Sequence, residues 1–185
     1  MRVVTLAGSP RFPSRSTALL TLSQKILESQ GIEVLPWNIQ HFDPDDLIQA
    51  RFDAPAISLF KEDLSSAQGL IIATPVYKAA YSGALKTVLD LLPERALENK
   101  VVLPVATAGS HAHMLAIDYA LKPVLSALKA RDILHGVFAD DSQVIQSDRE
   151  AKIDQVILDR LDNELEAFLN ALNRLHTPML AGLVA

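Results

Sequence analysis

Three apolar runs with no polar alternation constrain this chain more than any other feature. They are Val3-Val4-Thr5-Leu6-Ala7, Gly69-Leu70-Ile71-Ile72-Ala73-Thr74 and Val101-Val102-Leu103-Pro104-Val105-Ala106. A strand that is apolar along its whole length is buried on both faces, as in a parallel sheet covered by helices. Two more strands are expected over Ile32–Trp37 and Ile133–Phe138. Helical spacing separates the strands: Leu19, Leu20, Leu22 and Ile26 in the first unit, and Ile57, Leu59, Phe60 and Leu64 after Pro55, which suits a first helical position. A last helix carries the stripe Ile153, Val156, Ile157, Leu161, Leu165, Phe168, Leu169 and Leu172. This alternation, without repeat or linker, predicts an α/β fold: a doubly wound, five-stranded parallel sheet with helices on both faces. Its 185 residues suffice for one domain, expected over 1–175, with a short apolar tail over 176–185.

Composition narrows the function classes. The net charge of −5 gives no footprint for non-specific nucleic-acid binding. No apolar run approaches the length of a membrane span. The first strand begins at once after Met1-Arg2, so no signal peptide is read and a cytoplasmic location is expected. There is no cysteine, which excludes disulfides, thiolate nucleophiles and zinc–thiolate sites. With three methionines the chain is poor in sulfur altogether.

Ligands of a doubly wound sheet bind beyond the carboxyl ends of its strands, so the loops after strands one, three and four should converge. The first is Gly8-Ser9-Pro10-Arg11-Phe12-Pro13-Ser14-Arg15-Ser16-Thr17. A helix N-terminus offers free N–H groups and partial positive charge, hydroxyls donate, and each arginine adds a charge-assisted fork. That combination reads as a cradle for one terminal phosphate monoester. The plainer alternative is a helix cap made by Ser14 or Ser16, with the arginines solvated. Neither Gly-x-x-x-x-Gly-Lys-Ser/Thr nor Gly-x-Gly-x-x-Gly occurs, which removes the usual nucleoside triphosphatase and dinucleotide loops.

After strand three comes Thr74-Pro75-Val76-Tyr77-Lys78-Ala79-Ala80-Tyr81-Ser82-Gly83. Its small residues would let a flat heteroaromatic system approach the backbone, with Tyr77 and Tyr81 placed to flank it, or else simply bridging core and solvent. After strand four, Thr107-Ala108-Gly109-Ser110 repeats that small-residue character, and His111 and His113 follow without the carboxylate a metal site would want. No acid–base or nucleophilic constellation stands out among these loops. Pro123 falls inside the helical pattern Leu115–Lys129, four residues after Tyr119. Lacking an N–H for the Tyr119 carbonyl, it should kink or bulge the helix there, and π-bulges are frequent at functional sites. The alternative is a plain proline kink around a buried tyrosine.

Taken together, Gly8-Ser9-x-Arg11-x-x-Ser14-Arg15-Ser16 and Thr74-Pro75-x-Tyr77-x-x-x-Tyr81-Ser82-Gly83-x-Leu85-Lys86 resemble the flavodoxin-like NAD(P)H-dependent FMN reductases. Within that family the likeness is to the reductase component of two-component alkanesulfonate monooxygenase systems. It spans about residues 1–145 and includes Leu134-His135-Gly136-Val137-Phe138-Ala139-Asp140-Asp141-Ser142. The resemblance implies a flavodoxin-like fold with the FMN phosphate held by Ser9, Arg11, Ser14, Arg15 and Ser16. It implies the isoalloxazine against Pro75, Val76, Tyr77, Lys78 and Ala79, with Thr107, Gly109 and Ser110 on the other side. FMN is then a substrate, reduced by NADPH and released to a reduced-flavin-dependent alkanesulfonate monooxygenase under sulfur limitation. The resemblance further implies a homo-oligomer (dimer or tetramer) with Tyr119 in a π-helical insertion at the interface, affecting flavin release. A quinone or azo reductase with tightly bound FMN is the alternative, and a flavodoxin-like electron carrier is disfavoured by Arg11, Arg15 and the mild acidity. A basic group must recognise the NADPH 2′-phosphate, with Arg51 and Lys78 as candidates.

Overall fold

A computed structural model describes residues 1–147 and 151–176. Strand β1 (Arg2–Ala7) leads into helix α1 (Arg15–Ser29) and strand β2 (Glu33–Asn38). A short helix α2 (Pro44–Ile48) and helix α3 (Pro55–Ser66) then return the chain to strand β3 (Gly69–Tyr77). A two-residue strand β4 (Ala80–Tyr81), helix α4 (Gly83–Leu89) and strand β5 (Val101–Ala108) follow. A π-helical turn over Ile117–Leu121 runs into helix α5 (Lys122–Ala127). The chain continues through strands β6 (Asp132–Ile133), β7 (Val137–Asp140), β8 (Val144–Gln146) and β9 (Ala151–Ile153) to the long helix α6 (Gln155–His176). The parallel ladder runs β2-β1-β3-β5-β6, with β7 also parallel to β5. This is the doubly wound, flavodoxin-like order, and its switch point lies between β1 and β3.

Burial follows the pleat of the central strands. Val4 and Leu6 of β1, with Leu70 and Ile72 of β3, face a core built with Phe60, Leu64, Leu85, Val88 and Leu125 from α3, α4 and α5. Val3 and Ala7, with Ile71 and Ala73, face the opposite core, where Leu19 and Leu27 of α1 meet Leu161, Leu165 and Phe168 of α6. Successive side chains therefore leave water on opposite sides of one sheet, which is why these strands show no polar alternation. Among the described residues no helix is long and apolar enough to cross a membrane.

Several boundaries differ from the sequence expectation. β3 runs on to Tyr77 and β5 to Ala108, so Pro75 and Thr107 are paired strand residues and not loop residues. Ile153 belongs to β9, while α6 starts at Gln155 and continues through His176, across the expected domain boundary at 175/176. Residues 177–185 of the expected tail lie outside the described residues. The single strand expected over Ile133–Phe138 is two strands. Its break faces Pro104, which has no N–H to offer the ladder. Gly136 crosses that gap at φ +91°, pressed so close that a Cβ would sit 2.5 Å from the Pro104 carbonyl oxygen. The Pro123 expectation of a bulge holds: the Lys122 amide reaches back to the Ile117 carbonyl, the wide π spacing. Tyr119 is 80% exposed, which rules out the buried-tyrosine alternative.

Gly136→Ala combines a positive-φ penalty with a backbone clash, and should destabilise the protein by about 2–4 kcal/mol. Urea denaturation, with the slope unchanged, measures this directly.

Candidate functional site

The carboxyl ends of β1, β3 and β5 open into a cleft of about 630 Å³. Its first wall is the β1–α1 loop, contributing Ser9, Arg11, Pro13, Ser14 and Arg15. The loop is tightly ordered by its own hydroxyls. Ser9 Oγ donates to the Arg11 carbonyl at 2.9 Å and accepts from the Arg11 amide at 3.2 Å. Ser14 is the N-cap of α1: its Oγ accepts from the Thr17 amide, and the Thr17 hydroxyl accepts from the Ser14 amide, closing a capping box. The Ala18 amide also returns to the Ser14 carbonyl. The amides of Arg15 and Ser16 are left without an acceptor among the described residues, and no acidic side chain sits in this first turn. The plain cap and the phosphate cradle are thus compatible, since Ser14 serves as cap while the Arg15 amide remains free at the cleft.

The two arginines differ. The Arg11 guanidinium is exposed and has no partner among the described residues. Arg15 is paired across the cleft with Asp141. Asp141 stands in the turn after β7, which is folded by its neighbour: the Asp140 carboxylate accepts from both the hydroxyl and the amide of Ser142, at 2.6 and 2.9 Å. Those bonds hold the Asp140 carboxyl below its ordinary pKa.

The second and third walls are apolar. Pro75, Val76 and Tyr77 come from the end of β3, and Thr107, Ala108 and Gly109 from the end of β5. Val76 rests on Ala106, Ala108, Ile117 and Phe138, a small core that reaches the π-helical turn. Beyond Tyr77 the chain reverses in a two-residue turn with Lys78 at φ +52° and Ala79 at φ +65°. Two consecutive left-handed residues match the twist of a tight hairpin, though neither is the glycine or asparagine usual there. A fourth wall comes from Val144, Ile145 and Gln146 of β8.

The structure thus brings Ser9, Arg11, Ser14, Arg15, Pro75, Val76, Tyr77, Thr107 and Gly109 of the expected site to one cleft. Ser16 does not line it; its side chain is buried, with Oγ 3.2 Å from Ser14 Oγ. Lys78 and Ala79 sit at the hairpin tip outside the lining, and Ser110 turns away to cap the short turn His111–His113. Tyr81 packs against the core beside α4, where burial raises its phenol pKa, and it frames nothing in the cleft. His111 lies edge-on to Phe138, its Nδ1 3.8 Å from Asp140. Among the described residues no group of three His, Asp or Glu side chains could hold a metal ion. Arg51 is engaged by Asp46 and Gln49, whereas the Lys78 ammonium has no partner among the described residues. The sequence reading missed Asp141 and the β8 residues. Asp140-Asp141-Ser142-Gln143 before Val144-Ile145 was the available signal, a turn composition between two apolar stretches.

The base of the cleft is held by one buried side chain. Ser82 caps α4, accepting from the Leu85 amide at 3.1 Å, and donates its hydroxyl proton to the Gly8 carbonyl. The Ser82 amide donates to the Thr74 hydroxyl at 3.0 Å, and the Gly8 amide to the Ala73 carbonyl at 2.7 Å. A Cβ on Gly8 would stand 2.9 Å from Leu85 and 3.1 Å from that carbonyl oxygen, so the loop must leave β1 through a glycine.

Residues 1–144 match the family model described as NADPH-dependent FMN reductase. An FMN reductase (NADPH) of Escherichia coli (strain K12) is 64% identical over 174 residues, covering 94% of this chain and 91% of that protein. One from Pseudomonas putida (strain KT2440) is 52% identical over 186 residues, covering 100% of this chain and 94% of its own. Among solved structures, the apo form of the NADH:FMN oxidoreductase EMOB superposes with a TM-score of 0.81 at 31% identity, covering 90% of this chain and 87% of that one.

Ser82→Ala removes a helix cap and strands the buried Gly8 carbonyl together. A loss of about 2–3 kcal/mol is expected in chemical denaturation; a loss below about 0.5 kcal/mol would show that other contacts hold the cleft floor.

Proposed function

The chain belongs to the NADPH-dependent FMN reductase family, and from that premise we propose that its cleft takes FMN as a substrate, sets it to accept hydride from NADPH, and releases it reduced. The observation that carries this reading is the meeting, in one cleft, of a phosphate-type loop with two flat strand ends. The loop's donors suit a phosphate monoester: the unengaged Arg15 amide at a helix N-terminus, the Ser14 hydroxyl, and the Arg11 and Arg15 guanidiniums, with the Ser9 hydroxyl folding the loop through Arg11. Pro75 and Val76 on one side and Thr107 to Gly109 on the other suit a planar tricyclic ring that must be approached from its open face. Ser16 supports the loop from beneath through Ser14, and Lys78, Ala79 and Ser110 border the ring site without lining it.

The flavin supplies two-electron acceptance at N5, and the nicotinamide supplies the hydride from C4. The protein contributes orientation and exclusion of wrong poses; no side chain in the cleft is required as acid, base or nucleophile. Lys78, without a partner among the described residues, is the cation assigned to a ribose 2′-phosphate, since Arg51 is held by Asp46 and Gln49.

Two finer assignments belong to the same reading. Reduced FMN is destined for a reduced-flavin-dependent alkanesulfonate monooxygenase, a role supported by the segment likeness and by a chain with no cysteine and three methionines. The protein works as a homo-oligomer through the π-helical turn, where Leu115 and Tyr119 are 53% and 80% exposed, one helical turn apart, with Met114 beside them.

The deciding assay is NADPH oxidation in air by desalted protein as FMN is titrated from zero. A colourless protein whose rate saturates with added FMN is expected; a yellow protein that needs a quinone or dye acceptor would establish fixed flavin instead. Arg11→Ala should weaken FMN binding by about tenfold or more while sparing riboflavin, which has no phosphate. Tyr119→Ala should hold FMN more tightly through desalting and turn over more slowly, and turnover equal to the parent's would remove Tyr119 from flavin release.

A further inference from the structure

We propose that Asp141 sets the strength of flavin binding, as an internal competitor for the arginine that receives the phosphate. The inference rests on the reading of the β1–α1 loop as the FMN phosphate site. Asp141 comes from the turn after β7, far in sequence from that loop, yet its carboxylate is paired with Arg15. It also overhangs the third wall, since a Cβ on Gly109 would lie 3.6 Å from its Oδ2. One carboxylate therefore spans the opening between the phosphate loop and the end of β5.

Its location makes the pair breakable. The Arg15 and Asp141 side chains are 36% and 45% exposed, so water screens their attraction and an exposed pair contributes little to stability. A phosphate dianion offers Arg15 the same bidentate geometry as a carboxylate with more charge, and displaces it. The displaced carboxylate remains tethered beside the site. Part of what Arg15 gives the phosphate replaces what it already had from Asp141, and the residual repulsion between the two anions subtracts further. Arg11, which has no such competitor among the described residues, supplies the uncontested attraction. A loop with two free arginines would retain FMN; one in which an arginine is already engaged admits the phosphate and lets it leave. That is the requirement for a flavin that acts as substrate.

The contribution is specific to the phosphate, which gives the test its contrast. Equilibrium binding of FMN and of riboflavin, read by flavin fluorescence, would be compared for the parent, Asp141→Asn, Arg15→Ala and the double variant. Asp141→Asn should tighten FMN by about tenfold, leave riboflavin within about twofold, and lose most of its effect on the Arg15→Ala background. Unchanged or weaker FMN binding in Asp141→Asn would overturn the proposal, weaker binding meaning that Asp141 positions Arg15. Equal tightening of riboflavin would overturn it as well, because the effect would not involve the phosphate. If Arg15→Ala binds FMN as the parent does, the phosphate-loop reading itself fails, whatever Asp141→Asn does. Asp141 lies in an exposed turn whose internal bonds belong to Asp140, Ser142 and Gln143, so both single variants can be checked for the parent's melting behaviour before binding is read.

Discussion

The working end of the molecule depends on the bond between the Ser82 hydroxyl and the Gly8 carbonyl. Gly8 is where the chain leaves β1, and Ser82 is where it enters α4; the two lie 74 residues apart in sequence and in van der Waals contact in space. Because the Ser82 amide is bound to Thr74 and its Oγ receives the Leu85 amide, one residue ties together β1, β3 and α4. All these groups are buried, so each bond carries the desolvation cost of leaving it unmade. The loop that bears Ser9 and Arg11 starts immediately after this knot, and the apolar wall Pro75–Tyr77 starts immediately after Thr74. Their mutual placement is fixed at the root, while the residues that would meet a ligand remain at the surface.

Covering the sheet on both faces explains why the site lies where it does. With α1 and α6 on one side and α3, α4 and α5 on the other, the described residues leave the central strands open along their ends. At the carboxyl ends the backbone amides of a following helix point outward, which makes that end the one suited to an anion. β3 extends to Tyr77 and β5 to Ala108, and the two stay paired as far as Pro75 and Thr107. Two adjacent strand ends thus form a rigid, flat surface beside the phosphate loop, and the ring and the phosphate of one ligand can be gripped by different chemistry.

What could be read from sequence was what local rules encode. Apolar strands, the Pro55 helix start, the hydroxyl-rich loop and the consequence of Pro123 each follow from residue type at fixed spacing. What could not be read came from contacts between distant segments. Pro104 and Gly136 are both visible, but only their apposition breaks the fifth strand. The hairpin at Lys78 and Ala79 carries no glycine or asparagine, so nothing in the sequence marks the reversal, and the expected strand stops at Thr74, short of the observed end at Tyr77. The three-residue strands β8 and β9 are too short for alternation to register, although Val144 is buried and Ile145 is 55% exposed. Ser16 was grouped with its neighbours by type, whereas the helical turn rotates it inward under Ser14. Asp141 went unnoticed because its role depends on Arg15, 126 positions away.

The π-helical turn links the cleft to the outer surface through one local irregularity. Pro123 cannot donate to the Tyr119 carbonyl, and the Lys122 amide returns to Ile117, five residues back. Residues four apart still share a face across this turn, and the one between them points away. Ile117 and Leu121 keep their places in the core at 4% and 1% exposure, and the residue midway between them is thrust outward at 80%. Ile117 is also part of the small cluster beneath Val76, which lines the cleft. The buried side of the π-helical turn is therefore continuous with the wall at the end of β3. The proline that interrupts the regular helical ladder thus stands beside a turn whose buried face, through Ile117, is shared with the cleft residue Val76.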